Sequence, residues 1–321
     1  MSPIFLAGPT AVGKSEIALA LAEKIGGEII SVDSMQVYRG LDIGTAKPST
    51  EEQKRIPHHL IDVIGLNETF DAAKFVSLAR KAEQEIRSRG RVPIFCGGTG
   101  LYFSAYLQGL GDAPPANPKL RAELQAAPLE DLLRELKERD PATYEKIDRQ
   151  NPRRVIRAVE VIRLTGKPFS AQRAPWSART RPRFETGRHV AQSESGDMSP
   201  HPKPDVRLIG FSRDSADLRA RIIARVDKMF RDGLVAETEK LLKRGLAENK
   251  TAMQSLGYRQ VVEHLRVERS LEETVELVKI RTRQFAKRQM TWFRRQLQLE
   301  WIDLSAMDTR QALDLLRQHG P

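Results

Sequence analysis

The sequence predicts an α/β fold of the P-loop type, in which a parallel sheet is flanked by helices and an all-helical domain is inserted into the chain. In the first hundred residues, short apolar runs alternate with amphipathic helical stretches, and this alternation returns after residue 206. The residues between are helical and then irregular in pattern. We therefore expect a core domain of residues 1–111 and 206–321, divided by an inserted domain of residues 112–205.

Composition narrows the class of protein. The chain has 321 residues, of which 40% are hydrophobic and 30% charged, so it has room for two hydrophobic cores. No apolar run is long enough to span a membrane and no secretory leader is recognisable, so we expect a cytoplasmic protein without membrane contact. The single cysteine, Cys96, excludes an internal disulfide, and the six scattered histidines do not predict a zinc site.

The first apolar run leads into a predicted phosphate-binding loop. Residues 4–7 precede a stretch that fits Gly-x-x-x-x-Gly-Lys-Ser, and a helical pattern follows it. Glycines let backbone N–H groups turn around an oxyanion, the helix presents its positive end, and Lys14 adds a point charge. The hydroxyl of Ser15 is a candidate ligand for Mg²⁺. The site is formed by Gly8, Pro9, Thr10, Ala11, Val12, Gly13, Lys14 and Ser15.

Two further strands are predicted to end beside this loop. Residues 28–32 form an apolar strand followed by Asp33, whose carboxylate can ligate magnesium, accept a proton or cap a turn. Residues 92–96 form another, followed by glycines and Thr99. A nucleotide hydrolase commonly has an aspartate at the end of such a strand, so its absence weakens an ATPase interpretation. Thr99 is then expected near the loop.

The excess of positive charge lies outside the first 110 residues. Those residues contain twelve basic and twelve acidic side chains, although the whole chain carries a net charge of +11. Residues 149–183 carry ten basic residues and one acidic residue, and residues 279–301 carry seven and one. Solvated helix faces explain a single run of charge, but two separate basic regions favour a polyanionic partner.

The remaining segments are expected to be helical or flexible. A leucine seam that includes Leu132 and Leu136 indicates a helical core in the insertion, and residues 187–204 are expected to form a flexible loop. Residues 215–231 form a helix that carries Arg221 and Arg225 four apart on one ridge, where they are candidate anion clamps near a phosphate loop. A long basic helix is expected from residue 271 to about residue 299.

Several motifs resemble those of the tRNA dimethylallyltransferases. They occur in the family's order over nearly the whole chain, although residues 187–204 are longer than that family leads us to expect. The motifs are Gly-Pro-Thr-Ala-Val-Gly-Lys-Ser at 8–15, Ser-Val-Asp-Ser-Met-Gln-Val-Tyr at 31–38, Asp-Ile-Gly-Thr-Ala-Lys-Pro at 42–48, Pro-His-His-Leu-Ile-Asp at 57–62, Gly-Gly-Thr-Gly-Leu-Tyr at 97–102, Asn-Pro-Arg-Arg at 151–154, Gly-Tyr-Arg-Gln at 257–260 and Thr-Arg-Gln-Phe-Ala-Lys-Arg-Gln at 282–289.

The resemblance implies transfer of a dimethylallyl group from dimethylallyl diphosphate to the exocyclic N6 amine of the adenosine 3′ of a tRNA anticodon, with release of diphosphate. It implies that residues 8–15 bind the diphosphate together with Mg²⁺ held by Ser15, and that Asp33, Thr10 and Arg221 are catalytic. The partners it implies are a tRNA anticodon stem-loop and dimethylallyl diphosphate, with the enzyme acting as a monomer. The implied tRNA-contacting residues are Asp33, Ser34, Met35, Gln36, Thr99, Arg121, Gln150, Asn151, Pro152, Arg153, Arg154, Gly257, Tyr258 and Arg259.

Two other classes of function stay open on the residues alone. A small-molecule kinase would use ATP in the same loop, but it leaves the two basic regions unexplained. A nucleic-acid-binding module with an inert loop would explain the charge and leave the loop without a role.

Overall fold

The computed structural model describes residues 2–111, 113–172 and 207–318. The predicted flexible loop at 187–204 lies outside these residues. The chain divides into two compact units, Met1–Tyr106 with Phe184–Pro321, and Leu107–Arg183. The first boundary thus falls five residues before the one expected at 111/112 and lies within the last turn of helix α4 (Gly100–Gln108).

The first unit is built on a parallel six-stranded sheet, which confirms the predicted fold class. The strand order is β3-β2-β4-β1-β5-β6, and every neighbouring pair is parallel. β1 is central between β4 and β5, so the loop that follows it starts at the middle of the carboxyl edge of the sheet. The strands are β1 Ile4–Ala7, β2 Gly27–Val32, β3 His58–His59, β4 Val92–Gly97, β5 Arg207–Ser212 and β6 Glu300–Asp303.

Helices flank the sheet and complete the first unit. The aromatic rings of Phe5 on β1 and Phe95 on β4 stack with centroids 4.6 Å apart in its core, and Phe75 is also fully buried there. The helices are α1 Lys14–Ile25, α2 Thr50–Arg55, α3 Ala72–Ser88, α4 Gly100–Gln108, α10 Ser215–Arg231, α11 Leu234–Leu242, α12 Tyr258–Leu265, α13 Leu271–Gln296 and α14 Thr309–Gln318, with a 3₁₀ turn at Ala252–Gln254.

The long basic helix is shorter than the sequence predicts. α13 begins at a capping box in which Ser270 and Glu273 hydrogen-bond each other's backbone N–H, and it ends at Gln296. Leu297 is extended, with φ −134° and ψ 143°, and leads into β6 at residue 300. β6 is absent from the sequence prediction, which continues the helix to about residue 299. A four-residue strand at the sheet edge gives too short a pattern to be recognised.

The second unit is entirely helical in its described part. Its helices are α5 Pro118–Ala126, α6 Leu129–Arg139, α7 Pro141–Lys146, α8 Pro152–Thr165 and α9 Phe169–Gln172. Leu132 and Leu136 of α6 pack with Val155, Val159 and Ile162 of α8 in a common core. The predicted leucine seam is therefore confirmed as core packing. No helix in the described parts of the chain has the length and apolar character needed to cross a membrane.

Candidate active site

The glycine-rich loop between β1 and α1 has its carbonyl groups bound by cationic side chains. Lys14 Nζ donates to the Pro9 carbonyl at 3.1 Å, Arg221 Nε to that of Ala11 at 3.1 Å, and Arg213 Nε to that of Val12 at 2.7 Å. A carbonyl held in this way does not point at an anion in the loop. These bonds therefore favour an anion-binding interior lined by N–H groups, as the predicted phosphate site requires.

The backbone of the loop adopts the conformations that an anion-binding turn needs. Ala11 has φ 63° and Gly13 has φ 105°, both in the left-handed region, and Gly13 is the residue immediately before α1. Such residues rotate successive N–H groups toward one point, and the start of a helix adds further free N–H groups and a partial positive charge. The backbone conformation is therefore of the kind that the predicted phosphate site needs, and the site itself stays a prediction.

Lys14 and Asp33 lie within electrostatic reach of each other. Lys14 is half-buried, and burial lowers the pKa of its ammonium group, whereas the negative charge of Asp33 raises it. Asp33 directly follows β2, which is separated from β1 by β4 alone. The side chain expected beside the loop is therefore found there, because the carboxyl ends of parallel strands share one edge of the sheet.

The Asp33 carboxylate caps the turn after β2 with one of its two oxygens. Oδ1 accepts hydrogen bonds from the backbone N–H of Met35 at 2.8 Å and of Gln36 at 3.2 Å. Within the described part of the chain, Oδ2 receives no hydrogen bond from a protein group. Turn capping, one of the three roles open from sequence, is thus present, and it leaves the second oxygen available to a substrate.

Arg225 on α10 is one of the two arginines that the sequence predicts as candidate anion clamps, although the family resemblance implies a catalytic role only for Arg221. Its guanidinium is half-buried, and burial lowers its pKa while the charge of Asp33 raises it. The charge of Arg225 in turn lowers the pKa of Lys14. No hydrogen-bond partner of Arg225 occurs among the described residues. A half-buried, unpartnered guanidinium near Lys14 is suited to bind an oxyanion.

Arg221, the arginine implied by the family resemblance, lies one turn earlier on the same helix and is exposed. Besides its bond to Ala11, it lines a cavity of about 190 Å³ together with Gly13 and Arg213. The charge of Asp33 acts on both Arg225 and Lys14, whereas Arg221 contacts the phosphate loop through the carbonyl of Ala11. The catalytic role implied for Arg221 stays a prediction. The sequence places both arginines on one ridge of α10, but only the packing of the helix decides which of them is buried.

Thr10 and Thr99 both form hydrogen bonds that hold the loops of the site in place. The N–H of Thr10 donates to Gln289 Oε1 at 2.9 Å. The Thr99 hydroxyl accepts from the N–H of Ser34 at 3.2 Å, and its own N–H donates to the carbonyl of Val32 at 3.2 Å. Thr99 therefore holds the turn that begins at Asp33. The sequence does not reveal that Gln289 is the partner of Thr10.

The glycines after β4 permit close packing. An added Cβ at Gly97 would lie 2.1 Å from the carbonyl oxygen of Val32, and one at Gly100 would lie 2.1 Å from the ring of Trp292 on α13. Close packing therefore accounts for Gly97 and Gly100. Their presence is no evidence for a second phosphate-binding loop at this position.

Gln36 and Lys47 fix the loops beyond the Asp33 turn. Gln36 Nε2 donates to the carbonyls of Thr45 and Ala46, both at 3.2 Å. Lys47 Nζ, nearly buried, pairs with Asp42 at 2.5 Å and Asp62 at 2.6 Å. Strained positive-φ backbone at Ala46 (46°) and Asp62 (55°) occurs in the same segment, as is common where a loop is held for function.

The Gly257-Tyr258-Arg259 segment contributes in three different ways. Gly257 has φ 93° and precedes α12. Tyr258 is fully buried, with its hydroxyl donating to Glu237 at 2.6 Å and accepting from the N–H of Gly44 at 3.1 Å. Arg259 is exposed and pairs with Glu263. Of the three, the structure leaves the side chain of Arg259 open to a large partner and gives Tyr258 a role in holding the 42–44 loop.

In the second unit, Arg121 shares a buried carboxylate with another arginine. Glu160 is completely buried and binds Arg121 at 2.6 Å, Arg157 at 2.8 Å and the N–H of Asn117 at 2.9 Å. These bonds outweigh burial and lower the pKa of Glu160, whereas burial alone would raise it. Two arginines around one carboxylate leave a net positive charge at the surface of this unit.

The segment from Gln150 to Arg154 starts α8. Asn151 caps the helix by accepting from the N–H of Arg154 at 3.3 Å, and Pro152 occupies the first helical position, where its missing N–H costs nothing. Gln150, Arg153 and Arg154 are exposed. The first helical turn therefore presents two guanidinium groups to solvent, while Asn151 and Pro152 set where the helix begins.

The donor set near the loop suits a metal carried by its substrate. Ser15, in the first turn of α1, is exposed and offers a hydroxyl oxygen. Among the described residues, no group of three or more His, Cys, Asp or Glu side chains is arranged to hold a metal ion. Mg²⁺ commonly takes one or two protein oxygens and fills its remaining positions with phosphate oxygens and water, so Ser15 fits that ion when a diphosphate is present.

Fold and site together define an α/β protein in which a glycine-rich loop, a cationic pair and an aspartate meet at the carboxyl edge of a parallel sheet. The family model described as IPP transferase matches residues 36–296, so the chain belongs to that family. It is 41% identical over 304 residues to tRNA dimethylallyltransferase 2 of Geotalea uraniireducens, covering 94% of this chain and 91% of that one. With the tRNA dimethylallyltransferase of Acetivibrio thermocellus it shares 42% identity over 315 residues, which is 97% and 94% of the two chains.

Solved structures give the same result. The tRNA isopentenylpyrophosphate transferase of Bacillus halodurans aligns with a TM-score of 0.68 at 36% identity, over 99% of this chain and 95% of that one. A eukaryotic dimethylallyltransferase acting on tRNA aligns with a TM-score of 0.72 at 27% identity, over 95% of this chain and 74% of that one. The resemblance inferred from motifs is thereby confirmed at the level of family and fold.

Proposed function

We propose that this chain transfers the dimethylallyl group of dimethylallyl diphosphate to the exocyclic N6 amine of the adenosine 3′ of the anticodon in tRNA, and releases diphosphate. One observation carries the proposal. In a chain of this family, the charges of Lys14, Arg225 and Asp33 interact with one another beside the glycine-rich loop. The reaction needs groups that stabilise the leaving diphosphate and a group that accepts the proton of the amine.

The loop and its cations receive the leaving group. When the bond between the prenyl carbon and the diphosphate oxygen breaks, both electrons of that bond leave with the oxygen, and negative charge develops on the diphosphate. Loop N–H groups, Lys14 and Arg225 are placed to stabilise this charge. A bound Mg²⁺, held by the Ser15 hydroxyl and the diphosphate, would add Lewis-acid stabilisation of the same charge.

Asp33 receives the proton. The amine of adenine is a poor nucleophile because its lone pair is delocalised into the ring, so removal of a proton as the new N–C bond forms assists the reaction. Asp33 Oδ2 is the atom assigned to this task, since Oδ1 is occupied by the N–H groups of Met35 and Gln36. Atoms balance: one C–O and one N–H bond break, one C–N bond forms, and the proton passes to the carboxylate.

The RNA partner is supported by charge. The described residues present exposed cations at the start of α8, Arg153 and Arg154, and along α13. The exposed basic residues of α13 are Arg281, Lys287, Arg288, Arg294 and Arg295. Contacts of this type to phosphates dominate the affinity of proteins for nucleic acids. The target base has to leave its stack, at a cost on the order of a few kcal/mol that is lowest in a single-stranded loop such as the anticodon loop.

The proposal places the protein in the cytoplasm, where it meets unmodified tRNA, and has it act as a monomer.

A donor comparison tests the proposal. The protein is incubated with Mg²⁺, unmodified tRNA and either dimethylallyl diphosphate labelled in its prenyl carbons or ATP labelled in its γ-phosphate. We expect prenyl label in RNA and one diphosphate released per label incorporated. ATP turnover without RNA would instead indicate a small-molecule kinase, and tight RNA binding without transfer would indicate a binding module.

A further inference from the structure

We infer that Gln289, on α13, is a positioning residue that holds the phosphate loop and the Asp33 turn in register with each other. The inference deepens the proposed function and rests on it, because it concerns the relative placement of the leaving group and the proton acceptor. Gln289 contacts the phosphate loop and the Gly98-Thr99 segment that holds the Asp33 turn, and it acts through them.

The side-chain amide of Gln289 bridges two loops. Its Oε1 accepts the N–H of Thr10, in the phosphate loop, at 2.9 Å, and its Nε2 donates to the carbonyl of Gly98, after β4, at 2.9 Å. The residue is buried. A carboxamide offers an acceptor and a donor at the end of one flat group without any change of protonation state, and a buried pair of such bonds is costly to leave unmade.

The bridge continues from Gly98 to the turn that carries Asp33. Thr99, the next residue, donates its N–H to the Val32 carbonyl and accepts the Ser34 N–H at its hydroxyl, both at 3.2 Å. Val32 and Ser34 are the two neighbours of Asp33 in the chain. Hydrogen bonds therefore connect the phosphate loop to Gly98 through Gln289, and the next residue, Thr99, hydrogen-bonds the backbone on both sides of Asp33.

Gly98 is fitted to this amide. A Cβ added at Gly98 would lie 2.3 Å from Gln289 Nε2, while its other near neighbours, Gln289 Cδ and the Gly8 carbonyl oxygen, would both be at an ordinary 3.4 Å. Gly98 is not one of the described glycines with positive φ, so backbone conformation does not require a glycine there. The absence of a side chain is thus explained by the approach of the Gln289 amide, and an alanine would displace that amide and little else.

The chemistry requires the two loops to be correctly placed relative to each other. Displacement at the prenyl carbon needs the leaving oxygen and the attacking amine on opposite sides of that carbon, and a misplacement of about 1 Å can cost roughly a hundredfold in rate. The phosphate loop binds donor by itself, and the Asp33 turn meets RNA by itself. Loss of the bridge should therefore lower turnover while leaving each separate affinity nearly unchanged.

The test compares Gln289→Met, which keeps the length of the side chain and removes both hydrogen bonds, with Gln84→Met at an exposed position on α3. For each we measure kcat, the Kd for dimethylallyl diphosphate without RNA, the Kd for unmodified tRNA without donor, and the thermal midpoint. We expect kcat of Gln289→Met to fall about a hundredfold with both affinities within about threefold of the parent. Gln84→Met should match the parent in every measurement.

A double-mutant cycle with Gly98→Ala gives an independent reading, and it carries the test if Gln289→Met does not fold. Gly98→Ala alone should lower kcat about as much as Gln289→Met, and the double variant should be no worse than either single variant within about threefold. Additive losses, a kcat within threefold of the parent in Gln289→Met, or a fall in donor affinity that matches the fall in kcat would each overturn the inference. Transfer by the parent protein is measured first, so that failure of the proposed function is recognised separately.

Discussion

At the residue scale, Asp33 has two tasks that fall on different oxygens of one carboxylate. Oδ1 caps the turn by accepting from Met35 and Gln36, and Oδ2 is the proposed proton acceptor. The same side chain therefore shapes the turn and takes part in the reaction. A substitution that removes the whole carboxylate confounds the two tasks, whereas asparagine keeps an oxygen for the turn and loses the basic group.

Asp33→Asn is expected to lower turnover by about a hundredfold to ten-thousandfold, which is the usual contribution of general acid–base catalysis. Its affinity for tRNA should stay within about threefold of the parent, because the turn and its cap persist. Single-turnover transfer and filter binding of the same tRNA measure the two quantities. Turnover within about threefold of the parent would mean that another group takes the proton.

The two arginines of α10 are expected to differ in importance. Arg225→Gln should weaken binding of dimethylallyl diphosphate about tenfold to a hundredfold, since a charge-assisted hydrogen bond to a half-buried guanidinium contributes about 1.5 to 3 kcal/mol. Arg221→Gln should have a smaller effect, because Arg221 is exposed and its Nε is bound to the Ala11 carbonyl. Calorimetric titration without RNA distinguishes them, and a larger loss in Arg221→Gln would return the role of clamp to that residue.

At this scale, a functional residue can be recognised from the sequence when it acts together with its immediate neighbours in the chain. The phosphate loop and Asp33 are recognisable because a strand, a turn and a helix follow one another directly in the chain. Gln289 acts across 279 residues of sequence on Thr10, and its hydrogen bond is created only by the packing of α13. The burial of Arg225 likewise depends on how α10 packs. The helical periodicity of the sequence does not show which of two arginines on one ridge is the more buried.

At the element scale, α8 combines a helix start with two exposed cations. Asn151 and Pro152 fix the first turn, and that turn presents Arg153 and Arg154. The motif that the family resemblance assigns to RNA contact is thus divided by the structure into residues that begin the helix and residues that are open to a partner.

Arg153→Ala and Arg154→Ala are each expected to weaken tRNA binding and to reduce the dependence of log Kd on log salt concentration by about 0.7 to 0.9 per lost phosphate contact. Arg134→Ala, at an exposed position on α6 where Arg134 pairs with Asp131, serves as the control and should leave the slope unchanged. An unchanged slope in both α8 variants would exclude phosphate contacts there.

Helices α5 and α8 are joined by the carboxylate of Glu160. Because its pKa is lowered in the folded state from the ordinary value of 4.5, Glu160 stabilises the fold above about pH 4.5, and this contribution is lost as the pH falls through the lowered pKa. Glu160→Gln should therefore be less stable by about 2 kcal/mol at pH 7, an amount limited by the partial exposure of its arginine partners.

Unfolding of the full chain by urea at pH 7 and at pH 3.5 measures this contribution. The difference in stability between the parent and Glu160→Gln should shrink at the lower pH, whereas the exposed Glu138→Gln should resemble the parent at both. An equal difference at the two pH values would show that the charge of Glu160 is not what matters.

Long elements with regular patterns are the ones that the sequence predicts best. α10 and β1 have the predicted bounds. The predicted end of α13 was wrong, and β6 was not predicted. In residues 297–303 the helical pattern fades before a four-residue edge strand begins, and only pairing with β5 defines that strand. Tertiary contact, which is not encoded locally, decides such short elements.

At the scale of the whole molecule, charge and architecture divide the work. The first 110 residues are electrically neutral and contain the phosphate loop and the Asp33 turn, while the excess of positive charge follows them. The phosphate loop and Asp33 thus lie in the neutral part of the chain, whereas Arg225 and the exposed cations of α8 and α13 lie in the part that carries the excess of positive charge. This division was readable from composition, since counting charges requires no knowledge of packing.

The insertion pattern was also visible in the sequence, because the strand-like pattern stops near residue 111 and returns after residue 206. Among the residues that the structure describes, no strand lies between β4 and β5. The bounds of the units required the structure. The family resemblance supplied the reaction, which neither the loop nor the charge specifies, since a phosphate loop by itself does not distinguish a prenyl diphosphate from a nucleotide.

The most direct test of the account is to map the nucleotide that acquires the prenyl group. The protein is incubated with Mg²⁺, an anticodon stem-loop from an unmodified tRNA and labelled dimethylallyl diphosphate, and the RNA is digested and analysed by mass spectrometry. We predict a single dimethylallyl group on N6 of the adenosine 3′ of the anticodon, with one diphosphate released and no label when guanosine replaces that adenosine. Unlabelled RNA alongside turnover of a nucleoside triphosphate would contradict the account.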